Sequence, residues 1–279
     1  MPSRTSREHV MQVLRWDGKS ICEQPDDLAE EQPLEIRVRG RAISITMRTP
    51  GDDPELGAGF LLSEGVIHGR QDILRIEHCD QNEEENVLNV LLAAEAPVDF
   101  ERLTRHVFAS SSCGLCGKAT IESVHMQFPP VASDLVMDAE ILAGLVAKMG
   151  DAQQAFARTG GLHAAALFDA AGQMIVLRED VGRHNAVDKV IGHCLLNGLF
   201  PMECHLLLVS GRSSFEIMQK ALAARVPIVA AVSAPSSLAV EFARESGQTL
   251  IGFLRGRRMN VYSHSNRILF ASAAIAPGQ

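Results

Sequence analysis

Two uninterrupted apolar runs lie within HLLLVSGRSSFEIMQKALAARVPIVAAVS (205–233), namely HLLLVS (205–210) and PIVAAVS (227–233). Strands that are buried on both faces of a sheet have continuous apolar sequences, whereas half-buried strands alternate apolar and polar residues. The segment between the runs predicts a helix over 213–225. A strand, a helix and a second strand in this order predict a parallel pair within an α/β sheet.

The same alternation of strands and helices extends to both sides of this stretch. HAAALF (163–168) and QMIVLR (173–178) predict a hairpin joined by DAAG, and AVDKVIGHCLL (186–196) has apolar residues on one helical face. A second helix over 235–246 then leads to TLIGFLR (249–255), the last apolar run. The predicted element order is ββαβαβαβ.

The amino-terminal half has a different pattern. LEIRVRGRAISITMRT (34–49) alternates apolar and polar residues around Gly40, which is typical of a half-buried hairpin. In the segment that follows, Asp53 is expected to cap a helix, with Pro54 at its first position and Gly65 at its end. IEHC (76–79) and VLNVLL (87–92) predict a second pair of strands. We therefore expect an N-terminal α+β subdomain over 1–108, a mobile cysteine loop and linker over 109–130, and an α/β domain with a mixed sheet flanked by helices over 131–279.

Composition restricts the class of protein. The chain has 279 residues, of which 46% are hydrophobic and 22% charged, and a net charge of −8. This acidic balance argues against nucleic acid or an anionic membrane as the main partner. The chain has neither a signal-peptide pattern at its start nor an apolar stretch of roughly 18 residues, so we expect a cytoplasmic protein. Its six cysteines are too scattered for a disulfide framework, and Cys194 and Cys204 are expected in the core.

SSSCGLCGKAT (110–120) places Cys113 and Cys116 two residues apart without a second cysteine pair. A zinc site needs about four ligands, and the other donors, such as His106 and Cys79, form no pair with a known spacing. A thioredoxin-like redox pair belongs at the end of a strand, and the residues before the motif predict only a short one. A nucleophilic carrier is favoured by the glycines and by Lys118, which stabilise a thiolate. Unreactive surface thiols are the fourth interpretation.

Three segments are candidates for ligand binding, and two of them are suited to an anion. REDVGRHNAVDK (178–189) and VSGRSSFEIMQK (209–220) follow strand ends, where α/β sheets usually bind ligands. Ser213 and Glu216 have the spacing of a capping box, and a helix start with Gly211 and Arg212 suits a phosphate. GFLRGRRMNVYSH (252–264) concentrates three arginines after the last predicted strand, which in an acidic protein favours an anionic ligand over a solvated loop.

Four motifs occur in order downstream of CGLCG, namely GGLHAAALF, EDVGRHNAVDKVIG, SGRSSFEIMQKA and TLIGFLRGRR. Together they resemble the formate dehydrogenase accessory sulfurtransferases, the FdhD/NarQ family of sulfur carriers. The resemblance implies a cytidine deaminase-like fold, with which the predicted element order agrees. A zinc deaminase requires His-x-Glu before its cysteine pair, whereas here His163 is followed by an alanine at position 165 and the cysteines precede the core.

The resemblance also implies roles for individual residues. Cys113 corresponds to the cysteine that carries sulfur as a persulfide, and Cys116 to the second cysteine of the pair. Cysteine desulfurase is the expected sulfur donor, and formate dehydrogenase is the enzyme served. The expected client is the molybdenum or tungsten bis(molybdopterin guanine dinucleotide) cofactor, of which GDP is a partial mimic. Its binding segment is Phe253, Leu254, Arg255, Gly256, Arg257 and Arg258.

Further expectations follow from the same resemblance. We expect no structural metal, and we expect a homodimer. A zinc-bound or redox enzyme on a deaminase-like fold is the alternative function. A second group of residues is placed around the cofactor pocket: His163, Asp180, Arg183, His184, Gly211 and Arg212.

Overall fold

The computed structural model describes residues 8–79, 85–96, 124–125 and 127–271. These residues form fourteen strands and six α-helices. The helices are α1 (Asp53–Ser63), α2 (Ala139–Ala152), α3 (Gln154–Thr159), α4 (Arg183–Leu196), α5 (Phe215–Ala223) and α6 (Ser237–Glu245). The strands are β1 (Glu8–Trp16), β2 (Ile21–Ala29), β3 (Gln32–Val38), β4 (Arg41–Arg48), β5 (Ile73–His78), β6 (Val87–Leu92), β7 (Met137–Asp138), β8 (His163–Phe168), β9 (Met174–Asp180), β10 (Leu206–Val209), β11 (Ile228–Ala231), β12 (Thr249–Arg255), β13 (Arg258–Ser263) and β14 (Ile268–Leu269).

The chain divides into two compact units that are interleaved along the sequence. The first unit contains Met1–Leu115, Ala152–Ala165 and Leu177–Phe200, and the second contains Cys116–Asp151, Ala166–Val176 and Pro201–Gln279. The divisions at residues 165 and 176 fall inside β8 and β9, so these two strands have residues in both units. The sequential domain limits expected from sequence stay a prediction.

The first unit contains a four-stranded sheet in the order β4-β3-β6-β5. The predicted hairpins β3–β4 and β5–β6 are both antiparallel, as expected, and β3 joins them by running parallel to β6. Arg39 and Gly40 both have positive φ in the turn between β3 and β4, which matches the twist of a tight hairpin. A separate hairpin, β1–β2, was not predicted and exposes Leu14, Trp16 and Ile21.

Helix α1 begins one residue earlier than the sequence suggested. Its N-cap is Asp52, with φ of 59°, and no side chain caps the helix. Asp53 was therefore wrongly expected to cap it. The Asp53 carboxylate is buried and accepts hydrogen bonds from Nε and Nη2 of Arg48 at 2.9 and 3.0 Å. A buried guanidinium offers a stronger, charge-assisted interaction than a backbone amide, which explains the choice.

Helices α1 and α4 cross at two glycines. A Cβ added to Gly59 would lie 1.8 Å from the carbonyl oxygen of Asp188, and one added to Gly192 would lie 1.8 Å from that of Glu55. Neither distance is compatible with a side chain, so the two backbones are in direct contact. Leu56 and Val190 are among the apolar side chains buried in these helices.

The largest sheet has six strands in the order β13-β12-β11-β10-β8-β9. Strands β10, β11 and β12 are parallel neighbours, as the apolar runs predict, and β13 returns antiparallel to β12. The expectation of an α/β fold with a mixed sheet flanked by helices is confirmed. Strand β13 was not predicted. The arginine segment, which was expected to follow the last strand, forms the end of the β12–β13 hairpin. In the described part of the chain, no helix has the length and apolar character that a membrane span requires.

The helix crossing gives a prediction for stability. Gly59→Ala and Gly192→Ala should each lower the free energy of unfolding by about 3 kcal/mol or more, because the new methyl group forces the helices apart. Chemical denaturation followed by circular dichroism measures the change.

Gly144→Ala in α2 is the matched control, since a Cβ there meets nothing within 4 Å. This exposed helical position should gain about 0.5–1 kcal/mol from the better helix former. Equal effects of the same sign at all three glycines would contradict the direct backbone contact.

Candidate functional site

Three parallel strands of the second unit end at one edge of the sheet, and the segments that follow them are joined by backbone hydrogen bonds. Ser213, after β10, forms a bridge with Pro235, after β11. The Ser236 amide donates to the Ser213 carbonyl at 3.0 Å, and the Phe253 amide donates to the Ser233 carbonyl at 3.1 Å. This is the carboxyl edge of the strands, where open α/β sheets bind ligands.

Strand β12 carries a bulge at this edge. Its pairing with β13 shifts between Gly252 and Arg255, and Phe253 has φ of 53°, a left-handed conformation that non-glycine residues rarely adopt. Gly252 is required just before it, since a Cβ there would lie 2.9 Å from Cδ of Pro235 and 3.0 Å from Cε2 of Tyr262. The left-handed residue costs about 1–3 kcal/mol, and such strain concentrates at functional sites. The bulge leaves the Phe253 side chain 41% exposed.

A cavity of about 720 Å³ opens beside this bulge. Four of the six residues of the predicted binding segment line it, namely Phe253, Arg255, Arg257 and Arg258. Leu254 is fully buried in the core and anchors the segment instead. Gly256 has φ of 54° and forms the turn of the hairpin. The remaining lining residues include Glu140 and Ala143 of α2, Asn260 of β13 and Phe270.

Three arginines concentrate positive charge in the lining of this cavity. Arg255 and Arg258 face each other across the end of the β12–β13 hairpin. Like charges at opposed positions of a hairpin repel, and an anion between them would relieve the repulsion. Arg255 Nε donates weakly to the Val232 carbonyl at 3.4 Å, whereas Arg257 forms an exposed ion pair with Glu140. The arrangement can therefore hold a phosphorylated ligand that also has a planar group to stack on Phe253.

The first unit contains four of the second-group residues. Asp180 is fully buried at the end of β9. Its hydrogen-bond and ion-pair partners connect this strand end with the residue after β4 and with α4. Its carboxylate lies 2.7 Å from Nζ of Lys189 and accepts hydrogen bonds from the amides of Thr49 and Gly182 and from Nδ2 of Asn185, at 3.1, 2.8 and 2.9 Å. These contacts give Asp180 a structural role.

His163, Arg183 and His184 lie near one another in the same unit. Burial lowers the pKa of His163, and the positive charges of Arg183 and His184 lower it further, while Asp180 acts in the opposite direction. Nε of Arg183 is buried, and the described residues provide no hydrogen-bond partner for it. Burial and the two neighbouring basic groups together favour a neutral His163, which accepts or donates a hydrogen bond rather than carrying charge.

The predicted capping box of α5 is wrong. Ser214 is the N-cap residue, whereas Ser213 is fully buried and its hydroxyl has no hydrogen-bond partner among the described residues. The backbone bridge to Pro235 fixes Ser213 as part of the strand edge instead of the helix start. Gly211 and Arg212 follow β10 at this edge and are not among the cavity-lining residues that the structure describes.

Cys113 and Cys116 lie outside the described residues. The described cysteines are free thiols. Cys194 is buried, as expected, and burial raises its pKa to about 12, so it is unreactive at neutral pH. Cys204 was expected in the core but is exposed, because the short segment before β10 leaves it at the surface. Among the described residues, no group of three or more His, Cys, Asp or Glu side chains could hold a metal ion.

The model of the FdhD/NarQ family matches residues 29–269. The chain belongs to the FdhD/NarQ family. The matched range contains the cysteine motif, the second-group residues and the arginine hairpin, and it begins at the last residue of β2. The hairpin β1–β2 therefore lies almost entirely outside the part that this FdhD/NarQ chain shares with the family model.

Named relatives agree with the FdhD/NarQ assignment. The chain is 48% identical over 274 residues to "Sulfur carrier protein FdhD" of Streptomyces avermitilis, covering 94% of this chain and 96% of the relative. The protein of the same name from Mycolicibacterium paratuberculosis is 49% identical over 271 residues, covering 95% and 98%. The crystal structure of a formate dehydrogenase accessory protein from Desulfotalea psychrophila matches with a TM-score of 0.76 and 27% identity, covering 95% of this chain and 100% of that one.

One lining residue of this FdhD/NarQ chain was missed by sequence reasoning. Glu140 lies at the start of α2, far from the arginines in sequence, and no motif connects it with them. Its contact with Arg257 depends on how α2 and the hairpin pack within the second unit. The only sequence signal is an acidic residue in the first turn of a helix, which capping and dipole effects already explain.

The environment of His163 predicts a measurable titration. The pKa of His163 should lie below the ordinary value of about 6.5, and Arg183→Ala should raise it because a nearby positive charge that disfavours protonation is removed. Heteronuclear NMR of the imidazole resonances measures both values. Arg75→Ala, at an exposed position of β5, is the control and should leave the His163 titration in place. A fall or no change in the pKa with Arg183→Ala would contradict the proposed proximity.

Proposed function

We propose that this FdhD/NarQ chain is a sulfur carrier that acts as a sulfurtransferase in the maturation of formate dehydrogenase. The match of residues 29–269 to the family model is the observation that carries the proposal. The names of the relatives, which describe sulfur carriers, and the description of the solved structure as a formate dehydrogenase accessory protein support it.

In the first step, the Cys113 thiolate attacks the terminal sulfur of a persulfide on a cysteine desulfurase. The sulfur–sulfur bond of the donor breaks, its cysteine leaves as a thiolate, and Cys113 holds the sulfur as a new persulfide. Gly114, Gly117 and Lys118 surround the motif in sequence and favour the thiolate form of the nucleophile. Cys116 is the second thiol of the motif, and its role is either to assist this exchange or to protect the persulfide.

In the second step, the sulfur passes to the molybdenum or tungsten of the bis(molybdopterin guanine dinucleotide) cofactor, which is the substrate. Cys113 returns to the thiolate, and the metal supplies the two electrons that convert the transferred sulfur into a sulfido ligand. The carrier must therefore bind the cofactor as well as the sulfur.

The cavity at the arginine hairpin supports this assignment of the client. Its volume of about 720 Å³ is within the range of about 300–1,000 Å³ that is usual for small-molecule sites. The arginines supply charge for the diphosphate, and the exposed Phe253 ring supplies a face for a base. GDP contains both groups and is the simplest mimic of one half of the cofactor. A homodimer, which would provide two such cavities for the two nucleotides, is part of the proposal.

A zinc-bound or redox enzyme is the second candidate, because the spacing of Cys113 and Cys116 also suits those chemistries. Metal analysis of the purified protein separates the candidates. Stoichiometric zinc that is lost in a Cys113→Ala variant would favour the alternative.

The carrier role predicts the result of a loading experiment. After incubation with a cysteine desulfurase and cysteine, the intact mass should increase by about 32 Da, and reductant should remove the added mass. Cys113→Ala should abolish this increase, because the variant lacks the attacking thiolate.

Cys204→Ala is the matched control, since Cys204 is another free and exposed thiol. This variant should load normally. Normal loading of Cys113→Ala, with restored formate dehydrogenase activity in cells that lack the native protein, would show that Cys113 is not the carrier.

The cofactor site predicts a loss of nucleotide affinity. The double variant Arg255→Ala/Arg258→Ala removes two charge-assisted contacts, so its affinity for GDP should fall by about tenfold or more. Isothermal titration calorimetry measures the affinity, and persulfide loading, which uses a different motif, should survive. GDP binding of unchanged affinity in the double variant would show that the arginines form an ordinary solvated turn.

A further inference from the structure

One acidic side chain lies in a cavity that is otherwise basic. Glu140 is in the first turn of α2, and its side chain is 52% exposed at the cavity wall. Its backbone amide donates a hydrogen bond to Oδ1 of Asp138 at 2.8 Å, which fixes the start of the helix. A carboxylate repels phosphate, so its presence beside three arginines weakens a site that has only phosphate to bind. Besides its contact with Arg257, the Glu140 carboxylate has lone pairs that can accept hydrogen bonds from a part of the ligand that donates them.

The partner of Glu140 indicates which part of the ligand this is. Arg257 is the arginine at the turn of the hairpin, and its Nη2 contacts Oε1 of Glu140. Placed side by side, a guanidinium and a carboxylate present donors next to acceptors. The pairing edge of guanine presents the complementary order, with the O6 acceptor followed by the N1–H and N2–H₂ donors. Adenine presents a donor at N6 and a lone pair at N1, which oppose both charged groups.

The other two arginines have a different environment. Arg255 and Arg258 face each other across the hairpin end, and no contact with Glu140 is described for either of them. Phe253 lines the same cavity with an exposed aromatic face. The cavity thus offers a stacking face at Phe253, a paired carboxylate and guanidinium at Glu140 and Arg257, and two opposed arginines.

We propose that Glu140 and Arg257 act together as the guanine-reading pair of this site, while Arg255 and Arg258 hold the phosphates. The inference rests on the proposed function, because it takes the cavity as the nucleotide site of the cofactor. It adds a specificity-determining residue from α2 to the binding segment that the sequence placed at residues 253–258. The pair disfavours adenine nucleotides, because the N6 amino group would face the guanidinium and the N1 lone pair would face the carboxylate.

Calorimetry with four ligands tests the pair: GDP, IDP, ADP and inorganic pyrophosphate. IDP differs from GDP only by lacking the 2-amino group, so the parent protein should bind GDP about tenfold more tightly than IDP and should bind ADP more weakly than both. Glu140→Ala should lower GDP affinity by about tenfold and reduce the GDP-to-IDP ratio to about one, since the acceptor of the 2-amino group is removed. Pyrophosphate affinity should stay the same or rise.

Two further variants separate a direct role from a structural one. Glu241→Ala removes an exposed glutamate from α6 in the same unit, away from the cavity lining, and should leave all four affinities unchanged. Arg255→Ala/Arg258→Ala should lose pyrophosphate affinity and retain the GDP-to-IDP ratio. Circular dichroism verifies that each variant is folded.

The possible failures are distinguishable. If the parent protein binds GDP with a clear preference over IDP and Glu140→Ala retains that preference, the guanine-reading pair is wrong while the cofactor site stands. If Glu140→Ala weakens GDP and pyrophosphate equally, Glu140 only supports the hairpin and the pair is also overturned. If the parent protein binds no GDP, the cofactor site of the proposed function fails and the inference fails with it.

Discussion

The first unit depends on one buried carboxylate. Asp180 has no exposed surface, and neither has the ammonium group of Lys189 beside it. Removing either partner would leave an uncompensated charge in the interior, at a cost of about 3–5 kcal/mol. Lys189 also donates to the Thr49 carbonyl at 2.8 Å, and the Thr49 hydroxyl accepts a hydrogen bond from the Val181 amide at 3.1 Å. The ends of β4 and β9 and the start of α4 are therefore fixed by one network in which each charge is satisfied.

In the second unit the corresponding constraint is steric. Gly252 allows β12 to pass close to Pro235 and Tyr262, and the bulge that follows places Phe253 at the surface while Leu254 remains in the core. Without the bulge, alternation along the strand would continue and the arginines would project from different positions. The geometry of the site thus depends on Gly252, which has no side chain. The chemistry of the site depends on Phe253 and the arginines that follow, whose positions the backbone determines.

Sequence reasoning succeeded where periodicity carries the signal. The apolar runs of β10 and β11 and the alternating residues of β3 and β4 predicted both strands and pairing, because burial determines these patterns. It failed where tertiary contacts decide between local alternatives: Asp53 binds Arg48 instead of capping α1, and Ser213 joins a bridge instead of capping α5. Four residues of the arginine segment line one cavity, whereas Glu140, which also lines it, was not found, since its contact with Arg257 is long-range and has no local pattern.

The interleaving of the two units has a consequence for synthesis on the ribosome. Helix α1 emerges early, yet the helix against which its Gly59 packs, α4, is made only after most of the first half of the chain has left the ribosome. At about 5–20 residues per second, the wait is on the order of ten seconds. During that time the apolar face of α1 around Gly59, which contacts α4 in the finished protein, lacks its partner helix. A nascent chain that stops before residue 183 exposes this apolar surface, which makes it a substrate for chaperones and proteases rather than a folded fragment.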